Sequence, residues 1–119
     1  MRIKVTSPSV RYHSLDQASA ALAAAGPRGE LVDLVTTPGA ARFAGPSYLL
    51  TAFERARDGH PSAKATAWLD CGEDAGLVWR AIKVGWRHVV FTGRKTVTER
   101  LEDICAQHHV EIRSHRAFH

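Results

Sequence analysis

Apolar and polar positions along this chain switch between two periods. Short apolar or alternating runs recur at Arg2–Thr6, Leu31–Thr36, Lys64–Asp70, His88–Thr92 and Val110–Arg113. Such runs, bounded by turn residues, predict strands. Between them the spacing becomes helical. Leu15, Ala18, Leu22 and Ala25 share one helix face, as do Leu49, Phe53 and Ala56, and Val97, Leu101, Ile104 and His108. A further helix runs from about Asp74 to Val84 and is stopped by Gly85.

Local signals set the boundaries. Ser7-Pro8-Ser9 closes the first strand. Ser14 with Gln17, and Thr96 with Glu99, have the spacing of capping boxes and predict two helix starts. Gly26-Pro27 stops the first helix, and Gly59 and Pro61 end a second helix over about Ser47–Arg57. The stretch Thr37 to Pro46 is a long turn.

Strand alternating with helix predicts an α/β domain with a mostly parallel five-stranded sheet and about four helices. At 119 residues the chain makes a single domain, residues 1–119. Two strand orders compete. The flavodoxin-like order 2-1-3-4-5 is the common plan and puts the first strand in the middle. Yet Arg2-Ile3-Lys4-Val5 and Val110-Glu111-Ile112-Arg113 both alternate polar with apolar, which suits half-exposed edges. A half-barrel-like order 1-2-3-4-5 satisfies that pattern.

Composition narrows the class. No apolar run reaches the length of a membrane span. The opening Met1-Arg2-Ile3-Lys4-Val5 reads as a strand rather than a signal peptide. Cys71 and Cys105 are the only cysteines, too few for a disulfide framework, and point to a reduced, cytoplasmic setting. The net charge of +4 favours acidic partners. The basic residues are scattered, however, without a run interleaved with aromatics, so nucleic acid is not the expected partner.

The segments Pro38 to Leu49, PGAARFAGPSYL, and Leu69 to Gly76, LDCGEDAG, resemble short bacterial α/β proteins to which no function is assigned. That resemblance implies the fold and carries no catalytic residues. Named alternatives fail on their own residues. A receiver domain needs an acidic pair after the first strand, where this chain has Ser7-Pro8-Ser9. Thr92-Gly93-Arg94-Lys95-Thr96 lacks the first glycine of a P-loop, and neither G-x-G-x-x-G nor G-x-S-x-G occurs in the expected context. No cofactor is expected.

Candidate chemistry gathers where strands end and helices begin, the edge at which open parallel sheets bind ligands. Asp70, Cys71 and Glu73 are the catalytic candidates, since a thiol near a helix amino end can ionise easily and His13 or His115 could serve as its base. Against this, Asp74 suits a helix cap, and adjacent carboxylates would raise the thiol's pKa. Gly39 and Arg42 in the long turn are candidates for cradling an anion. Thr92, Gly93, Arg94 and Lys95 are candidates too, because a glycine, two cations and a helix start suit phosphate or carboxylate. The seven histidines have no diagnostic metal-ligand spacing, so no metal is expected. The leading expectation is a domain that binds a small anionic ligand at this edge. The alternatives are a small enzyme using Cys71 or Asp70, and a homo-oligomeric interaction module, with a homodimer built on Phe43, Tyr48 and Trp79.

Overall fold

Edge strands tolerate polar positions, and the strands at the two ends of the described sheet carry them, Ser9 and Arg11 in one and Glu111 and Arg113 in the other. A computed structural model describes residues 8–118. Its strands are β1 (Ser9–Tyr12), β2 (Leu31–Thr36), β3 (Lys64–Asp70), β4 (His88–Val90) and β5 (Glu111–Arg113). They form one parallel sheet in the order β1-β2-β3-β4-β5. The flavodoxin-like order is therefore not adopted. A central first strand would bury both of its faces, and β1 carries Arg11 on one face and a partly exposed Val10 on the other.

The first described strand is Ser9–Tyr12. The expected Arg2–Thr6 lies outside the described residues. Ser9, read as part of the closing turn, instead opens β1. Val10, Arg11 and Tyr12 supply the β-branched and aromatic content that a strand wants. Register pairs Arg11 with Val35 and Tyr12 with Thr36.

Five helices connect the strands: α1 (Leu15–Ala25), α2 (Ala40–Phe43), α3 (Pro46–Asp58), α4 (Ala75–Val84) and α5 (Lys95–Gln107). Consecutive strand order with right-handed crossovers brings the crossover helices to one face. The core agrees. Leu22, Leu49, Phe53, Val78, Ala81 and Cys105 from the helices are buried in one cluster with Val32, Leu34, Leu69 and Val89 from the sheet. The opposite sheet face carries a separate small cluster of Val35, Trp68 and Val90, with Phe118 packed against it.

Local chemistry fixes the helix ends. Ser14 Oγ accepts from the Gln17 backbone N–H at 3.2 Å, while Gln17 Oε1 accepts from the His13 N–H at 2.8 Å rather than from Ser14. Asp74 caps α4, its Oδ1 accepting from the Leu77 N–H at 3.1 Å. The Thr96–Glu99 box does not form. α5 begins two residues earlier, Arg94 is its N-cap, and no side chain caps it. His108 does not belong to the inner stripe of α5 either. It is exposed, and Cys105 takes the buried place. The long turn contains the short helix α2, entered through Gly39 at φ 82° and followed by Gly45 at φ 88°. Both angles lie in the left-handed region that glycine tolerates at least cost.

Two buried hydrogen bonds tie distant segments together. Tyr12 Oη donates to the Leu49 carbonyl at 2.8 Å, joining β1 to α3. Trp86 Nε1 donates to the Pro46 carbonyl at 3.0 Å, holding the start of α3 against the residues after α4. Each polar group would otherwise be buried without a partner, at a cost of about 1–3 kcal/mol.

Candidate functional site

Because every strand points the same way, every strand leaves the sheet at one edge. The residues after β2, β3, β4 and β5 meet there. Thr36 Oγ1 accepts from the Asp70 N–H at 2.8 Å, the Cys71 N–H donates to the Val90 carbonyl at 2.8 Å, and the Thr92 N–H donates to the Gly72 carbonyl at 2.8 Å.

Asp70 ends β3 and is 8 % exposed. Its carboxylate is fully engaged. Oδ1 accepts from the Gly72 N–H at 2.9 Å, and Oδ2 accepts from the Arg11 guanidinium at 2.9 Å. The same Arg11 nitrogen also reaches the Thr36 carbonyl at 2.8 Å. This arrangement braces three adjacent strand ends. Sequence reasoning missed Arg11 and Thr36 as site residues, since Val10 to Tyr12 was assigned to no strand and Arg11 therefore had no place beside Asp70.

Cys71 is 3 % exposed, and its Sγ lies 3.6 Å from the Leu69 carbonyl. Burial pushes the thiol well above its ordinary value, and the charges of Asp70 and Asp74 and the neighbouring Cys105 push the same way. A group so placed stays protonated and is a poor nucleophile. Neither proposed base is bonded to it. His115 pairs with Thr92, and His13 lines a different hollow with Pro38 and Phe43.

The two expected anion loops separate into two clefts. One, of about 330 Å³, is lined by Gly39, Arg42, Asp70, Cys71 and Glu73 together with Phe43 and Leu77. The structure thus brings the catalytic candidates and the long-turn candidates together. The cleft's charge does not suit an anion, because Asp70 and Glu73 face it and Arg42 lies 3.7 Å from the Asp74 carboxylate.

The second cleft, of about 440 Å³, lies between the β4–α5 turn and the segment after β5. Phe91 and Ile112 give it an apolar floor, and Thr92, Gly93, Ser114, His115, Arg113 and Arg116 line it. Thr98 and Glu102 of α5 complete the wall. A side chain at position 93 would have to displace the Phe91 ring. A Cβ on Gly93 would lie 2.7 Å from Cζ of Phe91, so the buried ring takes the space a side chain would need. Arg94 and Lys95 are exposed at the start of α5 and are not among the cleft's lining residues. Arg113, Ser114 and Arg116 were not expected, and His115 was expected only as a base for Cys71. The signal was available, because a fifth parallel strand must deliver whatever follows it to this same edge.

On the sheet face opposite the five α-helices, Trp68 is the hub. Its Nε1 donates to Asp33 Oδ1 at 3.0 Å. The Arg113 guanidinium lies over its ring at 4.7 Å, and the His88 and Phe118 rings stand 4.8 Å and 4.9 Å away. Burial lowers the pKa of His88, helped by Arg113 and Arg87 and opposed by Glu111 and Asp33.

Among the described residues, no group of three or more His, Cys, Asp or Glu side chains is placed to hold a metal ion, and no helix is long and apolar enough to cross a membrane. Compared with known proteins, the chain matches no family model and none of the curated proteins.

Proposed function

We propose that this protein binds a small phosphate- or carboxylate-bearing ligand in the cleft between the β4–α5 turn and the segment after β5. The carrying observation is the lining of that cleft. Arg116 and His115 line it with the hydroxyls of Thr92 and Ser114, while Arg113 is paired with Glu111 at 2.5 Å and Glu102 adds a carboxylate to the wall. The cleft lies beside the amino end of α5, where no side chain caps the free N–H groups. Those groups and the helix dipole favour negative charge. Arg94 and Lys95 add positive potential at that end, steering an anion toward the cleft.

Thermal unfolding in the presence of inorganic phosphate, pyrophosphate and phosphorylated metabolites tests this. Ligand at about 100 times its Kd adds about 2.7 kcal/mol of stability, so the melting temperature rises. The rise is lost in an Arg94→Ala, Arg116→Ala double variant and kept in Arg42→Ala, whose cleft is acidic. No shift with any anion, or an equal shift in the double variant, refutes the reading.

Self-association is a second reading, supported by Phe43. This ring is 92 % exposed on α2, and Tyr48 at the start of α3 is also exposed. A large aromatic side chain left in water gains from being covered by another copy. Catalysis through Cys71 or Asp70 has less support, because the thiol is buried and protonated and the carboxylate is already paired.

A further inference from the structure

The segment that follows β5 supplies much of the second cleft, and most of it is exposed. Ser114 to Phe118 fold through a single 3₁₀ turn, His115–Ala117, in which the Ala117 and Phe118 N–H groups donate to the Ser114 and His115 carbonyls at 3.1 Å each. Ser114, His115, Arg116 and Ala117 are exposed. Among the described residues, two attachments fix this segment to separate parts of the molecule. Near its start, the His115 N–H donates to Thr92 Oγ1 at 3.1 Å, and His115 Nδ1 lies 2.9 Å from the same oxygen. At its end, the Phe118 ring packs edge-on against Trp68 on the sheet face opposite the five α-helices.

Ser114, His115 and Arg116, which line the cleft, lie just after β5, and Phe118, which does not line it, ends the same turn. Arg113 connects the two regions, because it lines the cleft and also lies over the Trp68 ring on which Phe118 packs. Ser114, His115 and Arg116 form one wall of the cleft.

We propose that Ser114–Phe118 is a strap whose docking on Trp68 completes the anion cleft, so that ligand binding and strap docking are one coupled equilibrium. This rests on the anion-binding reading above. Coupling of this kind is reciprocal. A ligand that needs the docked strap must stabilise it, and anything that loosens the strap must weaken the ligand. The apparent Kd is the intrinsic Kd divided by the docked fraction. Phe118 is then a positioning residue that acts on affinity from outside the cleft.

The test uses the full chain and inorganic pyrophosphate as probe. Titration calorimetry gives the affinity, and amide hydrogen exchange at His115, Ala117 and Phe118 reports docking. In the wild type, pyrophosphate slows exchange at these three amides. Phe118→Ala speeds their exchange and weakens pyrophosphate by at least about fivefold, the lower end of usual couplings. Phe118→Tyr, which keeps the ring, restores both. Core amides such as Leu69 and Val89 report whether each variant is folded, and the wild-type exchange arm needs no variant. If pyrophosphate binds Phe118→Ala and wild type alike and leaves the three amides unchanged, the strap is refuted and the anion cleft stands. If wild type binds no pyrophosphate, both fall.

Discussion

Single residues in this chain act mainly through the partner that each one satisfies. Tyr12 is fully buried, and its hydroxyl has the Leu49 carbonyl as acceptor. Tyr12→Phe keeps the ring packing and removes one donor, so it lowers unfolding stability by about 1 kcal/mol, read from the urea midpoint. An unchanged midpoint would mean that the bond contributes nothing. His88 acts through its proton. Its pKa in the folded chain is below the ordinary 6.5 because it is half-buried against Trp68. As pH falls through about 6.5 the unfolded chain takes up this proton first. The contribution of neutral His88 is therefore present above 6.5 and is lost as pH drops toward the lower folded value. Urea midpoints from pH 7.5 to 5 fall in the wild type and fall less in His88→Gln. Equal slopes in the two proteins would remove His88 from the account.

At the scale of elements, the turns between strands and helices hold both the folding signals and the candidate site. The β4–α5 turn shows how the two combine. Phe91 is buried, and its ring lies where a Cβ of Gly93 would go. Gly93→Ala forces the ring or the turn to move, at a cost of about 1–3 kcal/mol, and shifts the floor of the second cleft. Thermal unfolding of Gly93→Ala and of Gly93→Ala with Phe91→Leu measures this. The double variant recovers part of the loss, since a smaller side chain leaves room for the methyl group. Equal stability of wild type and Gly93→Ala would show that the ring has space to yield.

For the molecule as a whole, the consecutive strand order has one large consequence. The crossover helices cover one sheet face, and the other depends on Trp68, Arg113, His88 and Phe118. The ends of all strands serve one edge, where an acidic cleft and a basic cleft lie side by side. At that edge Phe43 stands almost wholly in water. A two-fold dimer, the commonest closed assembly, would cover it. Analytical ultracentrifugation at micromolar concentrations gives dimer mass for the wild type and monomer mass for Phe43→Ser. Monomer mass for both removes the self-association reading.

Periodicity and turn chemistry by themselves determined the α/β class, β2 and β3 to the residue, the Ser14 and Asp74 caps and the glycine stops. These features rest on neighbours within a few positions, where sequence spacing and spatial contact coincide. Asp70 and Cys71 were legible as strand-end residues for the same reason. Only the tertiary structure decided what those residues face. Asp70 on β3 meets Arg11 on β1, Cys71 is buried, and Arg42 is drawn to Asp74. The strand order was open in the sequence because both orders use the same local elements. Burial chose between them, leaving β1 with its Arg11 at the edge. The strap after β5 lay furthest from view, because its anchor, Trp68, is fifty residues away from Phe118 in sequence and adjacent only through the sheet.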